Sequence, residues 1–186
     1  MTPQQAAAEI KRRLAEIERF RTEDLPEIIG VEAVRHYNES FVKEGATDRS
    51  FQKWPDVKRR DPQSPWYGFS LGANTPRPKA DENGMRAKNS RAKATNFSPT
   101  RAQDKILTGE SNELKNATDY IIKADRVTIV NDKPYARVHN FGEGSMIFGR
   151  KAFLQKARPF IYPSAVLNKA IYNKVAREMK SQGLIK

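Results

Sequence analysis

An α+β fold is what this sequence predicts: N-terminal and C-terminal helices packed on a small, mainly antiparallel sheet, with a long proline-rich basic insertion. Three observations lead there. Apolar residues recur at helical spacing near both ends of the chain, and two β-rich runs lie side by side around Asp125. Between them the stretch from Thr47 to Thr100 is broken by Pro55, Pro62, Pro65, Pro76, Pro78 and Pro99. Within a single domain, residues 1–46 then form the N-terminal helical part of the core, 47–100 an extended basic arm, and 101–186 an αβ core with the hairpin and terminal helix.

Taken in order, Ile10, Leu14 and Ile17 mark an amphipathic helix from Pro3 to Phe20, with Thr2 as its cap and Pro3 in its first turn. A second helix is predicted from about Leu25 to Lys43. Thr22 or Asp24 can cap it, Gly45 stops it, and Ile28, Val31, Val34, Phe41 and Val42 are available to a buried side. His36 lies among polar residues and reads as a surface or helix-packing histidine.

In the insertion, Arg77, Lys79, Arg86, Lys88, Arg91, Lys93 and Arg101 face only Asp81 and Glu82 as nearby acids, with almost no apolar periodicity. Such a run reads first as a solvated arm, and Arg77, Lys79, Arg86, Lys88, Arg91 and Lys93 are the candidates for contact with a partner. Phe51 and Trp54 are the exception, because two large aromatics this close anchor something.

Ser98-Pro99 starts a short helix that carries Ile106 and Leu107 and ends at Thr108-Gly109, and Leu114 belongs to a further turn beginning near Glu110. The runs Tyr120–Ala124 and Arg126–Val130 form an antiparallel hairpin, and Asn131 to Pro134 is turn chemistry. From Pro134 to Phe141 a helix would place Tyr135, Val138 and His139 on one side, with Gly142 as its cap. Glu143 to Gly149 reads as a flexible glycine-rich connection, since no Lys-Ser or Lys-Thr makes it a phosphate loop. Pro159 holds the chain extended after Arg158, so that Phe160 can be buried while the guanidinium reaches a carboxylate or helix carbonyl. Ser164 caps a last helix with the stripe Leu167, Ile171, Val175, Met179, closed by Gly183.

The bulk composition narrows the function classes. With 186 residues, 38% hydrophobic and a mean hydropathy of -0.77, the chain can bury a modest core and carries long polar excursions. Lys and Arg number 34 against 22 Asp and Glu, and the resulting net charge of +12 attracts polyanions, whether DNA or an acidic protein surface. The absence of cysteine removes disulfides, thiolate chemistry and cysteine-ligated zinc, and two histidines are few for a metal site. No cofactor, metal or catalytic set is expected. There is no apolar run of the roughly 18 residues that a membrane span needs, and the first residues lack the order of a secretory leader, so the host cytoplasm is the expected compartment.

The order "strand hairpin, Tyr135-Ala136-x-x-His139-x-x-Gly142, loop, Ala157-Arg158-Pro159-Phe160, terminal helix" resembles the phage virion morphogenesis or tail completion family. Leu107-Thr108-Gly109 followed by Leu114 is similar to that family's "Leu-x-x-Thr-Gly-x-Leu" region with a longer final spacing, and Trp54 resembles the tryptophan that often precedes it. Asn140 stands where relatives commonly carry Gln. The resemblance implies a non-enzymatic virion protein of a tailed phage, acting in tail completion or head-tail joining. It also implies a homo-oligomeric ring at the neck or tail end, in contact with other neck, connector or tail proteins. A structural, hydrogen-bonded His139 fits that role, since no nucleophile, acid or cofactor accompanies it. The alternative, motivated by the charge, is a basic DNA-binding or packaging accessory protein that contacts phosphates without sequence preference. A cell-wall hydrolase is a third class, and the sequence offers it no paired carboxylates or cysteine nucleophile.

Overall fold

In a computed structural model the described residues are 2–64, 67–68, 99–109, 111–124, 126–147 and 150–185. The class is α+β. Helix α1 (Pro3–Arg19) starts from a capping box in which the Thr2 hydroxyl accepts from the Gln5 N–H and the Gln5 side chain accepts from the Thr2 N–H. It does not end where a cap would end it. A π-helical turn (Phe20–Asp24) joins it without a loop to α2 (Leu25–Lys43), and neither Thr22 nor Asp24 caps α2. Pro26 has no N–H for the carbonyl four residues back, and the Thr22 hydroxyl bonds instead to the carbonyls of Glu18 and Arg19. Both effects widen the ladder at this point.

Helix α2 ends at Glu44, which adopts a left-handed conformation with φ 57°. Its buried side is Gly30, Ala33, Tyr37, Ser40 and Phe41, whereas Val31 and Val42 are exposed. The face expected from the large aliphatic residues is thus rotated toward small ones. The reason is the close approach of the central hairpin: a Cβ on Gly30 would lie 2.3 Å from the Tyr120 ring.

Among the described residues six strands form three separate two-stranded antiparallel ladders. Strand β1 (Gly45–Thr47) pairs with β2 (Phe51–Lys53), and after α3 (Pro99–Gln103) and α4 (Glu113–Asn116), β3 (Thr118–Lys123) pairs with β4 (Arg126–Asn131). The short helix predicted to carry Ile106 and Leu107 stops at Gln103, and Ile106 to Gly109 form a turn. After α5 (Ala136–Phe141), β5 (Gly144–Ile147) pairs with β6 (Arg150–Leu154), so the segment expected to be a loose connection contributes a strand. Helix α6 (Ala165–Ser181) closes the chain, capped by the Ser164 hydroxyl accepting from the Leu167 N–H at 3.1 Å.

Two apolar clusters organise the domain. Phe41, Trp54, Ile106, Leu114, Ala136 and Phe160 form the first; Ala33, Tyr37 and Leu167 form the second, with Ile129, Ile161, Tyr162 and Ile171 packed against it. Helix α2 runs between the β3–β4 hairpin and α6. Helix α1 takes part in neither cluster and contains no buried residue. Among the described residues no helix is long and apolar enough to cross a membrane.

The described part of the region first read as arm also departs from expectation. Residues from Thr47 to Ser64 are tied to the core through the β1–β2 ladder, buried Trp54 and two arginines. Arg59 donates to the carbonyls of Arg101, Asp104 and Lys105, while Arg60 donates to the Asp104 carbonyl and grips the Glu44 carboxylate with both terminal nitrogens. Glu44 also accepts from the Ile106 N–H at 2.7 Å. Positive charge that looked like solvated arm thus closes the turn that delivers Ile106 to the core.

Candidate functional site

Most of the residues that carry the sequence resemblance meet along one extended strap, 155–164, that leads into α6. At its N-terminal end Arg158 is 4% exposed. Its guanidinium donates to the carbonyls of Pro55 at 2.9 Å and Asp56 at 3.1 Å, and its N–H donates to the His139 carbonyl at 2.8 Å. The guanidinium's partners are loop carbonyls rather than the carboxylate or helix carbonyl expected for it, and only the backbone N–H of Arg158 meets a helix carbonyl. Burial pushes the Arg158 pKa down, partly offset by the Asp56 charge.

Next along the strap, the Pro159 carbonyl accepts from the Trp54 indole N–H at 2.8 Å. Phe160 is 1% exposed and packs on Phe41 with ring centroids 5.2 Å apart, and Phe41 meets Trp54 edge-on at 5.7 Å. Ala136 of α5 lies in the same cluster, where a small side chain lets the helix come close.

Asn140 holds the strap more directly than any residue singled out from the sequence. Its side-chain oxygen accepts from the N–H groups of Phe160 at 2.9 Å and Ile161 at 3.0 Å, and its nitrogen donates to the Ile161 carbonyl at 3.0 Å. It is buried, so these three bonds replace water for three backbone groups.

Tyr162 continues the lock on the other side. Its hydroxyl meets the Thr47 N–H at 2.7 Å, the Ser40 hydroxyl at 3.1 Å and His36 Nε2 at 3.3 Å, while its carbonyl accepts from the Tyr37 hydroxyl at 2.9 Å. The Ser164 hydroxyl donates to the Thr47 carbonyl at 2.7 Å, and the Ala165 N–H donates to Asp48 at 2.7 Å. These tyrosine and serine contacts span more than 110 positions of sequence, beyond the reach of local patterning.

His139 sits beside the strap with its ring 5.9 Å from Tyr135, edge to face, and its buried Nδ1 has no hydrogen-bond partner. Tyr135 itself donates to Glu113 at 3.2 Å. Gly142 closes α5 at φ 74°, and a Cβ there would lie 2.6 Å from the Ala157 nitrogen, so glycine is required both by conformation and by the strap. Thr108 and Gly109 stay apart from this site: the Thr108 hydroxyl donates to the Lys105 carbonyl at 2.8 Å, and Gly109 takes φ 58° in open space. Arg77, Lys79, Arg86, Lys88, Arg91 and Lys93 lie outside the described residues.

What this arrangement can do chemically is hold backbone segments in register. Among the described residues no group of three His, Cys, Asp or Glu could hold a metal ion. A groove of about 280 Å³ lies elsewhere, between the start of α2 and the end of α6, with Asp24, Glu27, Glu32 and Glu178 around Ile28 and Val31. Compared with known proteins, the chain matches no family model, no curated protein and no solved structure.

The two histidines set an expected pH response. His139 is held below the ordinary range by burial and then by the nearby Arg158 charge, and His36 is lowered chiefly by burial. Both are therefore neutral in the folded chain at pH values where the unfolded chain already binds protons. Their contribution is complete above the ordinary histidine value near 6.5 and is lost as the pH falls below it. Glu44 and Glu39 are held below the usual carboxylate range by Arg60 and Lys43, so they act only at lower pH. The thermal midpoint should drop as pH falls from about 7.5 to about 5.5, and His139→Phe should flatten that slope. An equally steep slope in the variant would remove His139 from the effect.

Proposed function

We propose that this chain is a structural component of a tailed-phage virion, acting in tail completion or head-tail joining as one subunit of a ring. The observation that carries the reading is the convergence of Trp54, Ala136, His139, Gly142, Arg158, Pro159 and Phe160 on a single strap that fastens α5, α2 and the β1–β2 segment together. Residues that looked like a family fingerprint serve one scaffold, as expected of a protein whose work is to keep its shape under load. The exposed apolar stripe on the amphipathic helix α1 supports an assembling role, because apolar side chains left in water are stabilised when a partner covers them. The proposed partners are further copies of the chain and adjoining neck, connector or tail proteins, in the virion and, during assembly, in the host cytoplasm. The role is binding, without a cofactor.

Electron micrographs of phage particles made without this protein test the reading. Filled heads beside separate tails would support joining, and tails of uncontrolled length would support termination; complete infectious particles would overturn both. The net charge of +12 favours a second reading, a non-specific DNA-binding or packaging accessory. Tight duplex binding near physiological salt, falling steeply as salt rises, would favour that reading over the first.

A further inference from the structure

Two surfaces of this one chain are complementary in polarity and charge. The first is the stripe on α1. Ile10 and Leu14 are each 60% exposed and Ile17 is 42% exposed, a 4-then-3 spacing that puts all three on one side of the helix. Lys11 and Arg13 flank that stripe. Among the described residues Lys11 has no ion-pair partner, and Arg13 pairs with Glu9 at 2.9 Å on the same helix. The second surface is the groove between α2 and α6. Its apolar floor is Ile28 and the half-exposed Val31, and its rim carries Asp24, Glu27, Glu32 and Glu178 beside the cation Lys174, with Glu32 already paired to Arg35.

The stripe of one molecule cannot fill its own groove. Backbone angles stay helical through Phe20 (φ -55°, ψ -44°), Asp24 (φ -75°, ψ -43°) and Leu25 (φ -61°, ψ -46°), so α1 leaves α2 as a continuation. The groove begins at Asp24 itself, and a helix cannot double back on the residue from which it emerges. Among the described residues nothing covers the stripe, and a groove that fits it is available only on a second molecule.

We infer that α1 of one copy docks in the α2/α6 groove of the next, with Ile10, Leu14 and Ile17 over Ile28 and Val31, and Lys11 and Arg13 among the rim carboxylates. This is a helix laid into an apolar groove, with the charges fixing its direction. The contact is heterologous: each copy offers a different surface at each side, so repetition closes into a ring or runs on as a filament. Pairing of two α1 stripes with each other would leave the acidic groove without a counterpart, which is why the groove is the better occupant site. The inference deepens the assembly reading, and its place in a particle rests on that reading; the contact itself rests only on the two surfaces.

The chain contains no cysteine, so site-directed cross-linking has no background. Full-length chains carrying Leu14→Cys and Val31→Cys are mixed in equal amounts and oxidised. A disulfide-linked pair containing one chain of each kind is the expected product, and its yield should fall at least about tenfold when Glu27→Lys and Glu178→Lys are added to the Val31→Cys chain. Adding Lys11→Glu and Arg13→Glu to the other chain should restore most of it. Cross-linking of Leu14→Cys chains to each other in preference to the mixed pair, or a chain that stays monomeric at the highest attainable concentration, would overturn the inference. None of the altered side chains is buried, and an unchanged circular dichroism spectrum and melting midpoint verify folding. If the mixed pair forms while phage particles assemble normally with the Glu27→Lys, Glu178→Lys chain, the contact stands but has no part in the particle; infectious particles made without the protein would overturn the virion reading itself.

Discussion

Phe160→Ala is expected to lower the free energy of unfolding by about 4 kcal/mol, the middle of the range for deleting a fully buried aromatic ring. Phe160 is 1% exposed and is enclosed by Phe41, Trp54 and the small residue Ala136, all in one cluster. These neighbours are anchored by separate elements, so they cannot collapse into the space together, and a cavity remains. A domain of ordinary stability holds some 5 to 15 kcal/mol, so this single change removes a large share of the total. Urea titration followed by tryptophan fluorescence reads it, because Trp54 lies at the site. A loss below about 1.5 kcal/mol, the scale of a methylene-sized change, would mean that Phe160 is not the centre of this core.

Asn140→Ala should cost nearly as much without removing any apolar side chain. It strips partners from the N–H groups of Phe160 and Ile161 and from the Ile161 carbonyl. Each buried group left unpaired costs about 1 to 3 kcal/mol, so the three together cost about 3 kcal/mol even at the low end of that range. Asn140→Gln keeps the amide but lengthens its stem, so it should be the milder change. The two sites share the Phe160 backbone, and the double variant should lose less than the sum of the single losses. Strict additivity would show that the side chain of Phe160 is held independently of Asn140.

Local structure was largely legible in the sequence, because its causes lie within a few residues. The Thr2 and Ser164 caps, the β3–β4 hairpin, the short α5 and the left-handed Gly142 all follow from side chains bonding nearby backbone or from one residue's allowed angles. The π-helical turn was missed although Pro26 stood in the pattern, since the periodicity resumes after it and reads as two capped helices. Strand β5 was missed because Gly142, Gly144 and Gly149 outweigh the short apolar run between them.

The candidate site was legible in its members but not in its connections. Trp54, Arg158 and Phe160 stood out by type and neighbourhood, yet Trp54 meets Pro159 across 105 positions and Arg158 meets Pro55 across 103. Arg59 and Arg60 carried no mark that separated them from the basic residues that follow. Only the fold shows that they bind turn carbonyls and Glu44, because a guanidinium is read by what comes within reach of its donors.

From the sequence alone come the α+β class, the order of most elements and the positions of the main caps, since these are set by dihedral preference and short-range hydrogen bonding. Tertiary structure alone decides which apolar faces are covered. The stripe Ile10, Leu14, Ile17 is as regular as any on α2, yet it lies bare, while α2 buries Gly30, Ala33 and Ser40 and leaves Val31 and Val42 in water. Burial requires a second surface at the right distance, and along α2 the Tyr120 ring and the Tyr162 hydroxyl arrive on the side where small residues admit them.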